Sequence, residues 1–248
     1  MDIDIKENER IDDLQYKGLK IIQDNTGFCF GIDSVILADF AKDIKKDSLV
    51  VDLGTGTGIL GILLCGKTEL KKVIGIELQE EVADMAKRSI KLNSLENKFE
   101  IINDNIKNII EKKLIPKNTV DIIITNPPYK ELGSGIINEN EKKIISRHEV
   151  KASLSDFINV ASKLLKDKGI IYMVHKPERL ADIIYLMRNN KIEPKELKFI
   201  YPTREKECNL VLIKAIKGAN KFLKIDEPLY IYDDNGEYTE QIRQIYYK

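Results

Sequence analysis

The chain is poor in the residues that build metal sites and disulfide frameworks. Its 248 residues contain no tryptophan, two histidines and three cysteines, which form no Cys-x-x-Cys pair. Two histidines and scattered thiols give little material for a zinc site, and an odd number of distant cysteines is not a disulfide framework. We therefore predict no bound metal, and we interpret Cys29, Cys65 and Cys208 as reduced packing residues of a cytoplasmic protein.

A net charge and a long apolar run are also missing. The 40 basic residues balance the 40 acidic ones, which argues against nucleic-acid binding by the protein as a whole. No apolar run approaches a membrane span, and the first residues, Met1-Asp2-Ile3-Asp4, are acidic rather than signal-like. Contents of 43% hydrophobic and 32% charged residues are typical of one globular α/β domain, with no membrane partner.

A glycine-rich loop is the first motif that carries chemistry. The segment 50–60 reads Val-Val-Asp-Leu-Gly-Thr-Gly-Thr-Gly-Ile-Leu, a pattern that predicts a strand, a tight turn and a helix. The candidate ligand-binding residues in it are Asp52, Gly54, Gly56 and Gly58. Glycine lets the backbone approach a ligand closely, and the helix that follows directs its free N–H groups toward it. The loop has no Lys or Arg, so the Walker pattern for nucleoside triphosphates is absent.

Two adenosine-type cofactors fit this loop. Residues 56–61 match the G-x-G-x-x-G dinucleotide fingerprint, and Glu77 ends the next apolar run, where a carboxylate accepts from ribose hydroxyls. These features alone leave NAD and S-adenosylmethionine equally open. Asp52 places a carboxylate at the mouth of the loop, which a sulfonium cation tolerates better than a pyrophosphate does. Asp104 follows a third predicted strand and could accept from an adenine amino group.

The most informative segment is Asn126-Pro127-Pro128-Tyr129, directly after the apolar run 120–125. Each proline fixes φ and has no N–H, so the turn is stiff. The Asn126 side-chain carbonyl and the Pro127 carbonyl could accept from a planar amino group, while Tyr129 offers a ring for stacking. We take Asn126, Pro127 and Tyr129 as candidate catalytic residues, with Pro128 and Tyr129 as candidate substrate contacts.

The glycine loop, Glu77, Asp104 and the Asn-Pro-Pro-Tyr turn together resemble the class I S-adenosylmethionine-dependent methyltransferases, in the branch that methylates amino groups. The order of the flanking segments is similar to that of the family acting on adenine N6 of valine tRNA, just 3′ of the anticodon. The resemblance implies S-adenosylmethionine as cofactor, with Asn126 also near it, and the tRNA anticodon loop as partner. It implies no obligate protein partner.

Other functions on the same fold stay open. A protein glutamine-amide methyltransferase would use the same turn, but only about 47 residues precede the first core strand, which is short for a substrate-binding domain. An rRNA guanine-N2 methyltransferase is a further alternative. A non-catalytic RNA-binding protein on this fold is disfavoured because both motifs are intact, and a DNA adenine methyltransferase usually carries a target-recognition insertion.

Charge patterning suggests where RNA would bind. Residues 151–224 hold 16 basic and 8 acidic residues, whereas 1–150 and 225–248 each carry a net charge of −4. A basic segment can follow phosphates, although lysines that only solvate helix faces give the same count. Lys198 and Arg204, near a predicted hairpin turn at 201–208, are the stronger candidates. His148, after a predicted lid at 133–138, is another, and His175 is expected to be structural.

We predict an α/β, Rossmann-like seven-stranded class I methyltransferase fold with an antiparallel last strand. Helices are expected near 32–42, 58–66, 79–93, 105–113, 153–166 and 178–190, and strands near 49–53, 72–77, 98–102, 119–124, 168–174, 195–201 and 208–216. Residues 1–30 should form a strand-rich extension on the core, residues 31–216 the methyltransferase domain, and residues 217–248 a strand-and-turn appendage of it. Asp33 and Ser153 are predicted helix N-caps, and Asp33 alternatively reaches the cofactor.

Overall fold

Helices and strands alternate through the chain, as the sequence pattern predicts. The computed structural model describes residues 3–25, 31–129 and 152–246. The first half contains β1 (Glu9–Asp13), β2 (Lys20–Asp24), α1 (Ile32–Phe40), β3 (Leu49–Leu53), α2 (Ile59–Lys67), β4 (Lys72–Glu77), α3 (Glu80–Leu92), β5 (Phe99–Asn103), α4 (Asn108–Glu111) and β6 (Val120–Thr125). The second half contains α5 (Leu154–Leu164), β7 (Leu165–His175), a 3-10 turn (Pro177–Arg179), α6 (Leu180–Asn189), β8 (Ile192–Tyr201), β9 (Leu210–Lys217), β10 (Lys224–Ile225), β11 (Leu229–Tyr230) and α7 (Glu240–Tyr246).

The central sheet has the order β5-β4-β3-β6-β7-β9-β8, with β10 and β11 both on the outer edge of β8. All of its neighbours are parallel except β9, which is antiparallel to β7 and to β8. This is the predicted doubly wound sheet with an antiparallel strand inserted last. Its nine strands in the described chain exceed the predicted seven because two two-residue strands extend the β8 edge.

Two apolar cores lie on the two faces of the sheet. Helices α1, α2, α3 and α7 pack on one face, where Leu37, Ile62 and Tyr172 are buried. Helices α4, α5 and α6 pack on the other face, around Ile158, Ile171 and Ile183. The inner strands are nearly continuous apolar runs because a parallel sheet covered on both faces buries every side chain.

The amino-terminal segment forms a pair of strands. Strands β1 and β2 are antiparallel, with Ile11 opposite Ile22. Arg88 on α3 donates to both carboxylate oxygens of Glu9, each at 2.6 Å, a half-buried bidentate ion pair that fixes the hairpin on the main domain.

Several local predictions differ from the structure. Helix α1 has Gly31 as its N-cap, so Asp33 lies inside the helix rather than capping it. Ser153 is an N-cap, as predicted, and forms a capping box with Asp156. Strand β7 begins at Leu165, directly after α5, rather than near residue 168 as predicted. A register shift against β6 accommodates the extra residues there, and Lys168 takes a positive φ of 61°.

The predicted helix at 105–113 is only four residues long in α4. Some predicted features lie outside the described residues: the lid at 133–138, His148 and Cys29.

Candidate active site

The carboxyl ends of the inner strands bring the predicted site residues to one edge of the sheet. Because β5, β4, β3 and β6 are adjacent and parallel, the residues that follow them line up in that spatial order. Asp104 comes after β5, Glu77 ends β4, the glycine loop follows β3, and Asn126 follows β6. Ligands of open α/β sheets bind at this edge.

The glycine loop is tied to the neighbouring strand. The N–H groups of Gly54 and Thr55 both donate to the Ile76 carbonyl at 3.0 Å. Gly54, Gly56 and Gly58 all have positive φ angles, of 73°, 59° and 89°, in the region where glycine is free of strain. A Cβ at Gly56 would meet no atom within 4 Å, so the loop presents bare backbone to open space.

Asp52 lies beneath the loop and is fully buried, instead of standing at the loop's open mouth. Its Oδ2 accepts from Thr55 Oγ1 at 2.6 Å, and its Oδ1 has no hydrogen-bond partner. Burial raises the pKa of Asp52 to about 7. The hydrogen bond from Thr55 lowers the pKa in part, and the nearby charge of Glu77 raises it further. A buried acceptor with no hydrogen-bond partner destabilises the folded protein, and a bound cation at the loop would offset part of that free-energy cost.

Glu77 links its own strand to the glycine loop. Its Oε2 accepts from the Gly56 N–H at 3.0 Å and its Oε1 accepts from the Gln79 N–H at 2.9 Å. Burial raises its pKa, against the lowering effect of these backbone bonds. Each carboxylate oxygen retains a second acceptor site, which is what a ribose diol requires.

Asp104 is engaged by its own segment. It accepts from Lys112 Nζ at 2.6 Å, from Asn108 Nδ2 at 2.7 Å and from the Asn105 N–H at 2.7 Å. The Lys112 hydrogen bond is the main cause of its lowered pKa. Asp104 is in the expected place at the strand end, and its role toward adenine stays a prediction.

A three-residue network organises the Asn-Pro-Pro-Tyr turn. Asn126 Nδ2 donates to Asp33 Oδ2 at 3.2 Å, and Tyr129 Oη donates to the same oxygen at 2.7 Å. Because a carboxylate only accepts, the amide nitrogen of Asn126 must face Asp33, and its Oδ1 faces the other way. Pro127 is buried and Pro128 is exposed. The sequence predicts Asp33 either as a helix N-cap or as a cofactor contact, and in the structure its side chain instead accepts from Asn126 and Tyr129 of the turn.

The last residue of β7 and the residue after it lie beside the Tyr129 ring. His175 is buried and packs edge-on against Tyr129, with ring centroids 5.2 Å apart. Its Nδ1 accepts from the Lys176 N–H, and burial lowers its pKa, so the ring is neutral at physiological pH. Lys176 Nζ lies 5.5 Å from the Tyr129 centroid. No sequence motif marked Lys176, because only strand pairing brings it here.

The two basic candidates lie toward the outer edge of the sheet. Lys198 is in the middle of β8, opposite Leu212 of β9. Arg204 is exposed in the loop between β8 and β9, with its guanidinium carbon 5.9 Å from the Tyr230 centroid. Both belong to the strand and loop that the sequence predicted, separated from Asn126 by intervening strands.

The arrangement fits S-adenosylmethionine. The open backbone at Gly56, the unpartnered Asp52 oxygen and the Glu77 carboxylate are complementary to a cationic adenosine cofactor. Within the described ranges, no group of three metal-binding side chains is found, and no helix there has the length and apolar character to cross a membrane. Fold and site together define a class I methyltransferase, and S-adenosylmethionine is its cofactor.

Comparison with known proteins gives the family. The model of the methyltransferase small domain matches residues 32–188, and the chain belongs to this family. It is 21% identical to a tRNA1(Val) (adenine(37)-N6)-methyltransferase of Flavobacterium johnsoniae, over 94% of this chain and 99% of that protein. It is 26% identical to the protein of the same name from Haemophilus influenzae strain 86-028NP, over 91% of this chain and 92% of the relative.

Solved structures support the fold. A protein described as a predicted O-methyltransferase of Agrobacterium tumefaciens superposes with a TM-score of 0.68 at 22% identity, covering 86% of this chain and 95% of that one. The M. jannaschii TYW2 protein in complex with AdoMet gives a TM-score of 0.58 at 18% identity, covering 85% and 86%. The predicted Rossmann-like methyltransferase fold is confirmed.

Proposed function

We propose that this protein transfers a methyl group to N6 of an adenine in tRNA, at position 37 next to the anticodon of valine tRNA. The relatives of that name, which align over nearly the whole chain, support the choice of substrate. The observation that carries the chemistry is the fixed Asn126 amide, whose Nδ2 is held by Asp33.

S-adenosylmethionine supplies a methyl group on a sulfonium, which is already electrophilic. The protein's task is therefore to orient the nucleophile in line with that carbon. An arylamine nitrogen shares its lone pair with the ring. Asn126 Oδ1 and the Pro127 carbonyl accept its two hydrogens and favour a pyramidal nitrogen with the lone pair directed at the methyl group.

Tyr129 provides a surface for the base and not a proton acceptor. Its hydroxyl donates to Asp33, and burial together with the Asp33 charge raises its pKa. The phenol therefore stays protonated, and its ring is fixed between His175 and Lys176. A target adenine stacked on this ring needs no strong general base, because its nitrogen becomes acidic once alkylated. An unpaired loop base costs only a few kcal/mol to extrude.

Cofactor contacts are assigned along the same edge. When the cofactor is bound, Glu77 would accept from the ribose hydroxyls, Gly54, Gly56 and Gly58 would let the chain approach it, and Asp104 would accept from the adenine amino group. Asp52 lies beneath the loop, where the positive charge of the bound cofactor would favour its ionised form. Lys198 and Arg204 are proposed as RNA contacts on the outer strands, and the protein is proposed to act in the cytoplasm on free tRNA.

The test is to identify the methylated product. The protein is incubated with methyl-labelled cofactor and a valine tRNA transcript, and the RNA is digested to nucleosides. We expect labelled N6-methyladenosine, formed about 100-fold more slowly by the Asn126→Ala protein, and none from a transcript with guanine at position 37. Labelled N2-methylguanosine, or label in protein glutamine and none in RNA, would overturn the proposal.

A further inference from the structure

A tyrosine-lined cavity of about 550 Å³ lies beside the loop between β8 and β9. One wall is Arg204 from that loop, and the other comes from the segment after β10, including Tyr230 and Tyr232. Leu229 and Ile231 are buried in the core. Because successive side chains of an extended segment point to opposite sides, Tyr230 and Tyr232 face outward together.

The tyrosine rings are held by stacking on further aromatic rings. Tyr230 packs against Tyr201 with centroids 5.5 Å apart. Tyr232 stacks on Tyr238 at 5.4 Å with the planes 18° apart, and Tyr238 stacks on Tyr246 at 5.8 Å. Tyr232 nevertheless keeps 38% of its surface exposed. A ring fixed on one face and exposed beside a cavity loses little entropy when a flat group stacks on it.

The charges of the cavity select among flat ligands. Arg204 is its basic residue, whereas Glu227, Asp233, Asp234 and Glu240 contribute carboxylates. Asp233 is partly committed to its own turn, since its Oδ1 accepts from the N–H groups of residues 235 and 237. This balance disfavours a phosphate inside the cavity. It favours a nucleobase with amino or imino hydrogens, because carboxylates accept from those groups.

The cavity lies on the same edge of the sheet as the Asn-Pro-Pro-Tyr turn. Strands β7 and β8 are both antiparallel to β9, so they run in the same direction and end at the same edge. Strand β11 pairs Tyr230 with Tyr201, the last residue of β8. From β6 to β11 there are four strand spacings, or about 19 Å, which a single strand of a few nucleotides can span.

We propose that this cavity binds an unpaired nucleobase of the RNA substrate, a few nucleotides from the methylated adenine. The base stacks on Tyr232, its amino hydrogens are accepted by the cavity carboxylates, and Arg204 contacts the adjoining backbone at the rim. The inference rests on the proposed function, because it requires an RNA substrate. It adds a second base-binding site, so that recognition extends well beyond the target adenine.

The test compares RNA affinity across matched tyrosine variants. Tyr232→Leu removes the platform, Tyr232→Phe keeps the ring, and Tyr185→Leu changes an exposed tyrosine of α6 (67% exposed) on the other face of the sheet. Loss of one base–aromatic stack should raise the Kd for a valine anticodon stem-loop about tenfold in Tyr232→Leu. The other two variants should bind as the wild type does, and kcat at saturating RNA should be unchanged in all three.

The outcomes separate the two proposals. If the wild-type protein methylates no RNA, the proposed function fails and this inference fails with it. If the protein methylates RNA but Tyr232→Leu binds it with unchanged Kd, only the nucleobase site is overturned. If Tyr232→Leu weakens binding of a lysine- and arginine-rich peptide but leaves RNA binding unchanged, the cavity has a different ligand, and the nucleobase site is overturned as well. Melting temperatures of the variants control for folding.

Discussion

Replacing Asp52 with asparagine should change how stability depends on pH. Burial raises the pKa of this carboxyl to about 7 in the folded protein, against about 3.9 in an unfolded chain. The folded state thus holds a proton that the unfolded state releases. The contribution of Asp52 to wild-type stability should therefore fall as pH rises from about 4 to about 7 and level off above that. The full difference of about three pK units corresponds to about 4 kcal/mol.

The assay is chemical or thermal unfolding of the cofactor-free protein at pH 5 and pH 8. Between these values the Asp52 contribution changes by about 3 kcal/mol, most of the total. Asp52→Asn has no carboxyl to ionise, so its stability relative to the wild type should improve by that amount from pH 5 to pH 8. For a chain of this length this is a relative shift of about 8 °C in melting temperature.

A matched control isolates the buried group. Asp43 is exposed, so Asp43→Asn makes the same substitution at the surface and serves as the control. Glu77 is present in both the wild type and Asp52→Asn, so its own titration largely cancels in the difference. Parallel stability curves for wild type and Asp52→Asn would refute the reasoning, because they would mean that Asp52 ionises in the folded protein as easily as in the unfolded chain.

Three further predictions concern catalysis and cofactor binding. Asn126→Ala should lower kcat about 100-fold, the effect of losing one preorganised acceptor of about 3 kcal/mol, with the cofactor Kd by calorimetry unchanged; full activity would remove Asn126 from the mechanism. Asp33→Asn should lower kcat about tenfold, as expected for a lost charge-assisted bond, while Ser34→Ala at the weaker 3.4 Å contact should have little effect. Equal losses in both variants would contradict the role given to Asp33. S-adenosylmethionine at 100 times its Kd should raise the melting temperature by about 5–10 °C, and NAD should not. Stabilisation by NAD and not by S-adenosylmethionine would contradict the cofactor assignment.

Much of the fold is predictable because it depends on local patterns. Buried parallel strands are continuous apolar runs, so β3, β4 and β6 are found within a residue or two of the predicted ranges. The capping box at Ser153 has a signature in the chain itself. Strands β10 and β11 have two residues each. This is too short for the alternation of apolar and polar residues that marks a strand, so only their pairing with β8 defines them.

The candidate site was predictable in its motifs and not in its internal contacts. The glycine loop and Glu77 could be placed together because parallel strands end at one edge. The burial of Asp52 beneath the loop depends on side-chain packing that spacing does not describe. Tyr129 and Asp33 are 96 residues apart in the chain, and a carboxylate near a helix start has a local explanation as a cap. The sequence alone therefore cannot distinguish a capping role for Asp33 from its contact with Tyr129.

The position of Asp33 in α1 explains how one carboxylate can organise the turn. It lies in the first turn of a nine-residue helix, where the helix dipole and free N–H groups favour a negative charge. Its Oδ1 accepts from the Ser34 N–H at 3.0 Å, which leaves Oδ2 for Asn126 and Tyr129. A neutral amide at this position could present either its oxygen or its nitrogen, and the Asn126 amide would lose its fixed direction. A carboxylate has only acceptor oxygens and cannot reverse in this way, so Asp33 keeps Asn126 Oδ1 directed toward the proposed position of the substrate amine.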